Sequence, residues 1–286
     1  MKIIIGSAQF GLNYGIANNY LTVESNEIIK ILNLAKKNKI NTIDTAAQYG
    51  TSEKKIGEII NSDFFINTKL PFIDNQIEYS TLWLEKKINK SLNNLKVKSL
   101  NSLFIHNIKD LLDLKNTTFI NDLNLFKKKG YFKSIGISIY SPKELDKVID
   151  FFKPDIVQAP YNIFDQRIEI TGWLEKLNNL DIEFHARSVF LQGILLDQKF
   201  INNKFFSKWS FLFNKWFQWC NENGISPLDA SLAKPMNNIN INKIVVGVNS
   251  EFQLNEIIYS CKKQIKTTPD FTCDDEELLN PYNWKF

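Results

Sequence analysis

Eight short apolar runs alternate with longer amphipathic segments along the 286 residues, and this beat restricts the fold more than any other feature. The runs fall at 3–5, 42–43, 64–68, 99–105, 134–137, 156–158, 182–184 and 244–246. They lack polar alternation, as strands do when both faces of a parallel sheet are buried. Between them, segments 26–38, 53–60, 79–95, 122–129, 142–151, 169–178, 208–223, 227–236 and 251–259 carry apolar residues at helical spacing. Ser25, Ser52 and Ser141 are the expected caps of three of these helices, Pro142 suits a first turn, and Gly130 and Gly224 mark stops. Eight strand–helix repeats predict an α/β fold of the closed (β/α)8 TIM-barrel type, one domain over residues 1–262. The tail, 263–286, has no clear period and is expected to pack on or near the barrel. A doubly wound open sheet would normally carry G-x-G-x-x-G after its first strand, and Gly6-Ser7-Ala8-Gln9-Phe10-Gly11 does not match.

Composition narrows the function. Lys+Arg 35 against Asp+Glu 31 leaves a net charge of only +4. The lysine pairs, such as Lys36–Lys37 and Lys86–Lys87, read as solvated helix faces rather than a nucleic-acid groove. Three widely spaced cysteines, Cys220, Cys261 and Cys273, suggest neither a disulfide framework nor a metal site. No apolar run approaches the roughly 20 residues that span a bilayer, and residues 1–6 are too short a run for a secretory signal. A cytoplasmic protein without membrane or nucleic-acid partners is expected; oligomeric state is not readable.

Barrel enzymes place their chemistry at the C-terminal ends of strands. Asp44 follows the second run, Lys69 the third and His106 the fourth, and Tyr49 lies five residues beyond Asp44. An acid, a cation, an imidazole and a phenol are thereby expected on one rim. Such a set suits carbonyl reduction. Hydride arrival puts negative charge on oxygen, and a positioned acid must protonate it. A free phenol, with a pKa of about 10, is a poor acid at neutral pH. An ammonium about 4 Å away contributes roughly 4 kcal/mol at an effective dielectric near 20. Lys69, held charged by Asp44, is therefore expected to draw the Tyr49 value down, and neutral His106 to donate a hydrogen bond to the same oxygen.

The stretch Asp44-Thr45-Ala46-Ala47-Gln48-Tyr49-Gly50-Thr51-Ser52-Glu53, with Lys69 and His106 in order, resembles the aldo-keto reductase superfamily. The resemblance runs from about Gly6 to Glu256. It implies an NAD(P)-dependent oxidoreductase in which Tyr49 is the proton donor, Lys69 and Asp44 tune it, and His106 orients the carbonyl of a small-molecule substrate. It also implies cofactor contacts at Gly6 and Ser7. Gly136-Ile137-Ser138 resembles the segment that holds the nicotinamide carboxamide, with Ile139 where Asn is common, and Gln158 matches a second carboxamide contact. Asn162 lies nearby, as a contact or a turn cap.

Arg187-Ser188-Val189-Phe190-Leu191-Gln192-Gly193 is similar to the family's seventh-strand loop, with Arg187 in the place of a tyrosine that stacks on the nicotinamide ring. Arg187 is expected either to stack there and disfavour the oxidised ring or to be salt-bridged at the rim. Gly247, Val248, Asn249, Gln253 and Glu256 resemble the adenosine-phosphate segment, but Gly247 and Gln253 stand where Lys or Arg often grips a 2′-phosphate. Lys234 and Lys243 are the candidate substitutes. NADPH is the family's usual carrier and NADH the alternative. His185 is expected to be structural more than pocket-lining, and the cluster Trp209, Phe211, Phe213, Trp216, Phe217 and Trp219 to be core or subunit contact.

Two other readings are a cofactor-binding regulatory or interaction subunit on the same barrel and an aldolase with Lys69 as Schiff-base nucleophile. Asp44, by keeping Lys69 protonated, opposes the latter. A short loop at 107–117 and an early chain end suggest an open pocket suited to a polar, sugar-like substrate.

Overall fold

A computed structural model describes residues 1–16, 22–60, 63–73, 79–114, 117–265 and 268–284. Eight parallel strands close into a barrel in chain order: β1 (Ile3–Gly6), β2 (Thr42–Asp44), β3 (Phe65–Lys69), β4 (Leu100–Ile105), β5 (Phe132–Ser138), β6 (Ile156–Pro160), β7 (Glu183–Arg187) and β8 (Lys243–Gly247). The (β/α)8 architecture expected from the repeat is thus the architecture found. Register sets the rim: Gly6 is level with Asp44 and Gly247, Lys69 with Phe104, Ser138 with Gln158, and Pro160 with Arg187. One turn of sequence past each strand end therefore opens on a common mouth.

The outer ring comprises α1 (Ser25–Lys37), α2 (Ser52–Ile59), α3 (Thr81–Leu95), α4 (Thr117–Lys128), α5 (Pro142–Val148), α6 (Trp173–Asn179), α7 (Ser210–Glu222), α8 (Pro227–Asn237) and α9 (Glu251–Ser260). In α1 the spacing of Ile28, Ile31, Leu32 and Ala35 puts four buried side chains on one face. Ser80 caps α3 by accepting from Trp83 N at 3.2 Å.

Several boundaries differ from the sequence reading. Ser25 and Ser52 are first residues of their helices rather than caps, and Glu24 and Thr51 hold the cap positions. The segment expected as one helix over 169–178 is broken at Gly172, whose φ of 77° separates Arg167–Ile170 from α6. The expected loop at 107–117 contains a helix, Ile108–Leu114, and the tail contains another, Glu276–Leu279.

The core has two parts. The larger fills the barrel and its helix interface. The second lies under the loops that follow β6 and β7 and is built from Phe164, Leu191, Leu195, Phe206, Phe213 and Trp216, with Phe271, Leu278 and Leu279 from the tail. The aromatic run of α7 is thus mainly core, except Phe211, which is 80% exposed. Trp216 Nε1 donates to Leu195 O at 3.0 Å, and Cys273 N to Phe164 O at 2.9 Å. The tail is thereby fixed beside the mouth.

Candidate active site

Asp44 and Lys69 are the last residues of β2 and β3, and both are almost wholly buried. The Lys69 ammonium donates to Asp44 Oδ1 and, at 3.0 Å, to Thr45 O. Gln158 Nε2 donates to the other carboxylate oxygen, Oδ2, at 2.9 Å. One carboxylate therefore fixes an ammonium and an amide from strands on different sides of the barrel. Burial lowers the Lys69 pKa, while Asp44 works to raise it. Removing either member of such a buried pair would cost about 3–5 kcal/mol.

Tyr49 sits on a turn locked from below. Tyr49 N donates to Ala46 O at 3.0 Å, and Ala47 N donates to Lys69 O at 3.1 Å. Gly50 has a φ of +56° and packs on the backbone of Gly11; a Cβ on Gly11 would lie 2.0 Å from Tyr49 O, and one on Gly50 2.2 Å from Gly11 O. Ser52 Oγ donates to Ser7 O at 2.9 Å. Glu53 accepts from Thr68 Oγ1 at 2.7 Å and from Asn94 Nδ2 at 3.0 Å. The Ser-Glu pair of the motif is a set of struts under the phenol.

The Tyr49 ring centroid lies 5.4 Å from Lys69 Nζ and 5.9 Å from the His106 ring, which meets it edge-on at 83°. Burial pushes the Tyr49 phenol well above its ordinary value, the carboxylate of Asp44 and the phenol of Tyr14 push the same way, and Arg187 opposes them. The expected lowering is therefore reversed here: Asp44 spends the Lys69 charge, and desolvation decides the sign. His106, just past β4, is pushed down to about 3 by burial and by the Lys69 and Arg187 charges. It is a neutral imidazole, with Nδ1 buried and without a partner among the described residues.

These four side chains share one cavity of about 350 Å³. Gly6, Ser7, Ser138, Gln158, Arg187, Ser188, Val189, Phe190, Gly193, Gly247, Asn249, Gln253 and Glu256 also line it. Val248 does not. Its side chain joins the core, because neighbouring residues in an extended segment face opposite ways. Ile139 is fully buried and presents only its carbonyl, which accepts from Arg187 Nη2 at 3.0 Å. Asn162 closes a turn, accepting from Phe164 N and Asp165 N, each at 2.9 Å, and donating to Ser188 O at 3.1 Å.

Arg187 carries no carboxylate partner among the described residues, so the rim salt bridge is absent. Its guanidinium lies 4.1 Å over the Tyr140 ring instead. Lys234 pairs with Glu169 at 3.2 Å, and Lys243 begins β8, at the opposite end of the strand from the mouth. Neither lines the cavity. His185 is buried beside Glu183, 3.1 Å away, and is structural.

Sequence reasoning missed Gln9, Tyr14, Tyr140, Gln192 and Tyr282, which also line the cavity. Tyr140 was within reach, two residues past the end of β5. Tyr282 was not, since it arrives through tail packing and meets Tyr140 at 5.2 Å.

A phenol, an ammonium–carboxylate pair and a neutral imidazole thus stand together at the C-terminal mouth of a closed barrel. The family profile described as Aldo/keto reductase family matches residues 2–271, and the chain belongs to that family. It is 27% identical over 202 residues to an aldo-keto reductase of Gibberella moniliformis (strain M3125 / FGSC 7600), covering 67% of this chain and 60% of that protein. The chain thus spans under two thirds of that curated relative's length. Among solved structures, an aldo-keto reductase from Bacillus halodurans in its holo form matches with a TM-score of 0.72 at 16% identity, over 93% of this chain and 88% of that one. Another from Pseudomonas aeruginosa matches with a TM-score of 0.67 at 17% identity, over 91% and 89%. At those identities the likeness is one of fold. Among the described residues no helix is long and apolar enough to cross a membrane.

Proposed function

We propose that this chain reduces an aldehyde or ketone to an alcohol with a nicotinamide cofactor, Tyr49 supplying the proton. The observation that carries this reading is the convergence of Tyr49, His106, Lys69 and Asp44 on one cavity. Tyr49, held neutral by burial, keeps its proton until negative charge appears on the substrate oxygen. His106, also neutral, offers one ring N–H to that oxygen without adding a charge of its own. Arg187, whose charge acts to lower the Tyr49 value, favours the phenolate left on Tyr49. Asp44 keeps Lys69 aimed and blocks its use as a free amine.

A reduced nicotinamide supplies the hydride, which no side chain can. The lining fits such a group. With Gln158 Nε2 held by Asp44, its Oε1 is left to accept from a carboxamide N–H, and Ser138 stands beside it, level in the sheet. Arg187, backed on one face by Tyr140, presents a planar group to the ring. Asn249 Oδ1 is buried without a partner among the described residues, and Gly247, Gln253 and Glu256 line the wall after β8. That wall offers a carboxylate and amides but no cation among the described residues, which favours NADH use beside the usual NADPH. The wall of Tyr14, Tyr140 and Tyr282 suits a polar, sugar-like substrate.

The test is cofactor oxidation, followed at the nicotinamide absorbance with a panel of aldehydes. Tyr49→Phe should lose about 10²–10⁴-fold in kcat while still binding the reduced cofactor. Undiminished turnover in that variant would refute the assignment.

A further inference from the structure

Resting on the reductase reading, we infer that the substrate carries an anionic group, a carboxylate or its like, and that Arg187 holds it beside the reacting carbonyl. The argument begins with charge. The ammonium of Lys69 is matched by Asp44. Arg167, which opens the helix Arg167–Ile170 and donates to Tyr140 O at 3.1 Å, takes Asp165 at 2.8 Å and Glu276 at 3.5 Å. Arg187 has no such partner among the described residues, although it lines a cavity and is largely screened from water. Charges in such places are ordinarily paired.

The donors tell the same story. A guanidinium has five N–H groups. Nη2 gives one to Ile139 O at 3.0 Å, and Nη1 gives one to Ser188 Oγ at a long 3.3 Å. Nε is buried with no partner among the described residues. The second hydrogen of each terminal nitrogen remains, and a guanidinium can grip a carboxylate with two such N–H groups at once. Tyr140 fixes the plane of the guanidinium from one face.

Position decides between substrate and cofactor as the source of the anion. Arg187 ends β7 level with Pro160, two residues past the Gln158 that holds Asp44, and lines the cavity with Tyr49 and His106, so its charge lies beside the reacting residues. On the reductase reading the cofactor's phosphates are assigned to the segment after β8, at Gly247 and Asn249, and not to Arg187. At the reacting end Asp44 is already engaged and His106 is neutral, which leaves Arg187 as the uncompensated charge among the described residues there. A substrate that brings a negative group cancels it; a neutral one leaves it unmet.

Matched pairs of carbonyl compounds test this. Phenylglyoxylate against phenylglyoxylamide places the charge next to the carbonyl, and 4-carboxybenzaldehyde against 4-formylbenzamide places it further away. In wild type, at least one acid should exceed its amide by at least about tenfold in kcat/KM, mostly through KM. Arg187→Gln should bring that ratio close to unity, and Arg187→Lys should keep part of it. Both members of a pair use the same cofactor, so any loss of cofactor binding cancels from the ratio.

Turnover of acids and amides alike by wild type, or an acid preference that survives Arg187→Gln, would overturn the inference and leave the reductase reading intact. Failure of every carbonyl to oxidise cofactor would overturn both. A second readout needs no turnover. Benzoate should raise the melting temperature of wild type but not of Arg187→Gln, and benzamide should raise neither. Equal shifts from benzoate in the two proteins would count against Arg187.

Discussion

Tyr49 and His106 both stand neutral in the mouth of the barrel, and their protonation has measurable consequences. Because the Tyr49 value lies above that of a free phenol, the donor form persists through neutral and mildly alkaline solution. The kcat/KM for reduction should stay level between about pH 6 and about pH 9, since that quantity reports the free enzyme. A fall centred near neutrality would mean that another group supplies the proton. His106 acts on stability. Its folded value, about 3, lies below the ordinary 6.5, so the unfolded chain takes up the proton first. The stability it contributes is present above about 6.5 and is lost as pH falls toward 3, with a slope of at most ~1.4 kcal/mol per pH unit. Denaturant midpoints across that range should fall less steeply in His106→Gln than in wild type. Parallel curves would show that the imidazole is solvated after all.

At the scale of elements, the turn between β2 and α2 and the tail beside β7 carry the strongest expectations. Gly11→Ala would force a methyl against the Tyr49 carbonyl and the Ser52 amide. Overpacking of this kind costs about 1–3 kcal/mol. Activity should fall further than stability, because the displaced backbone carries the phenol. A variant with lowered melting temperature but full kcat would argue that the turn relaxes without moving the ring. In the tail, Leu279 is fully buried against the second aromatic core. Leu279→Ala should cost about 2–5 kcal/mol in thermal or denaturant unfolding. It should also raise KM, since Tyr282 reaches the cavity only through that packing. A KM equal to that of wild type would place the substrate away from Tyr282.

Over the whole molecule, the barrel was legible because most strand residues are buried, so that eight short, largely apolar runs recur along the chain. Asp44, Lys69 and His106 were legible for a related reason: they are the polar residues that end those runs. What escaped was set by contacts distant in sequence. The helix at Glu276–Leu279 exists because Leu278 and Leu279 have Phe164, Phe206 and Trp216 to cover, and no local period announces that. The direction of the Tyr49 shift escaped because the sequence reading placed Lys69 beside the ring without the cost of burying both. Val248 was readable from alternation alone, since Gly247 and Asn249 on either side face the cavity.

The seat of Tyr49 is assembled from Ser7, Gly11, Ala46, Ser52, Glu53, Thr68, Lys69 and Asn94, all in the first third of the chain. Arg187 and the tyrosines at 140 and 282 come from the remainder. On the proposed function, the proton donor and, Tyr14 apart, the discriminating wall come from different stretches of the chain. A hybrid that joined this N-terminal third to the later strands of a kindred barrel would bring its own acid, ready mounted, and take its taste in substrates from the other parent.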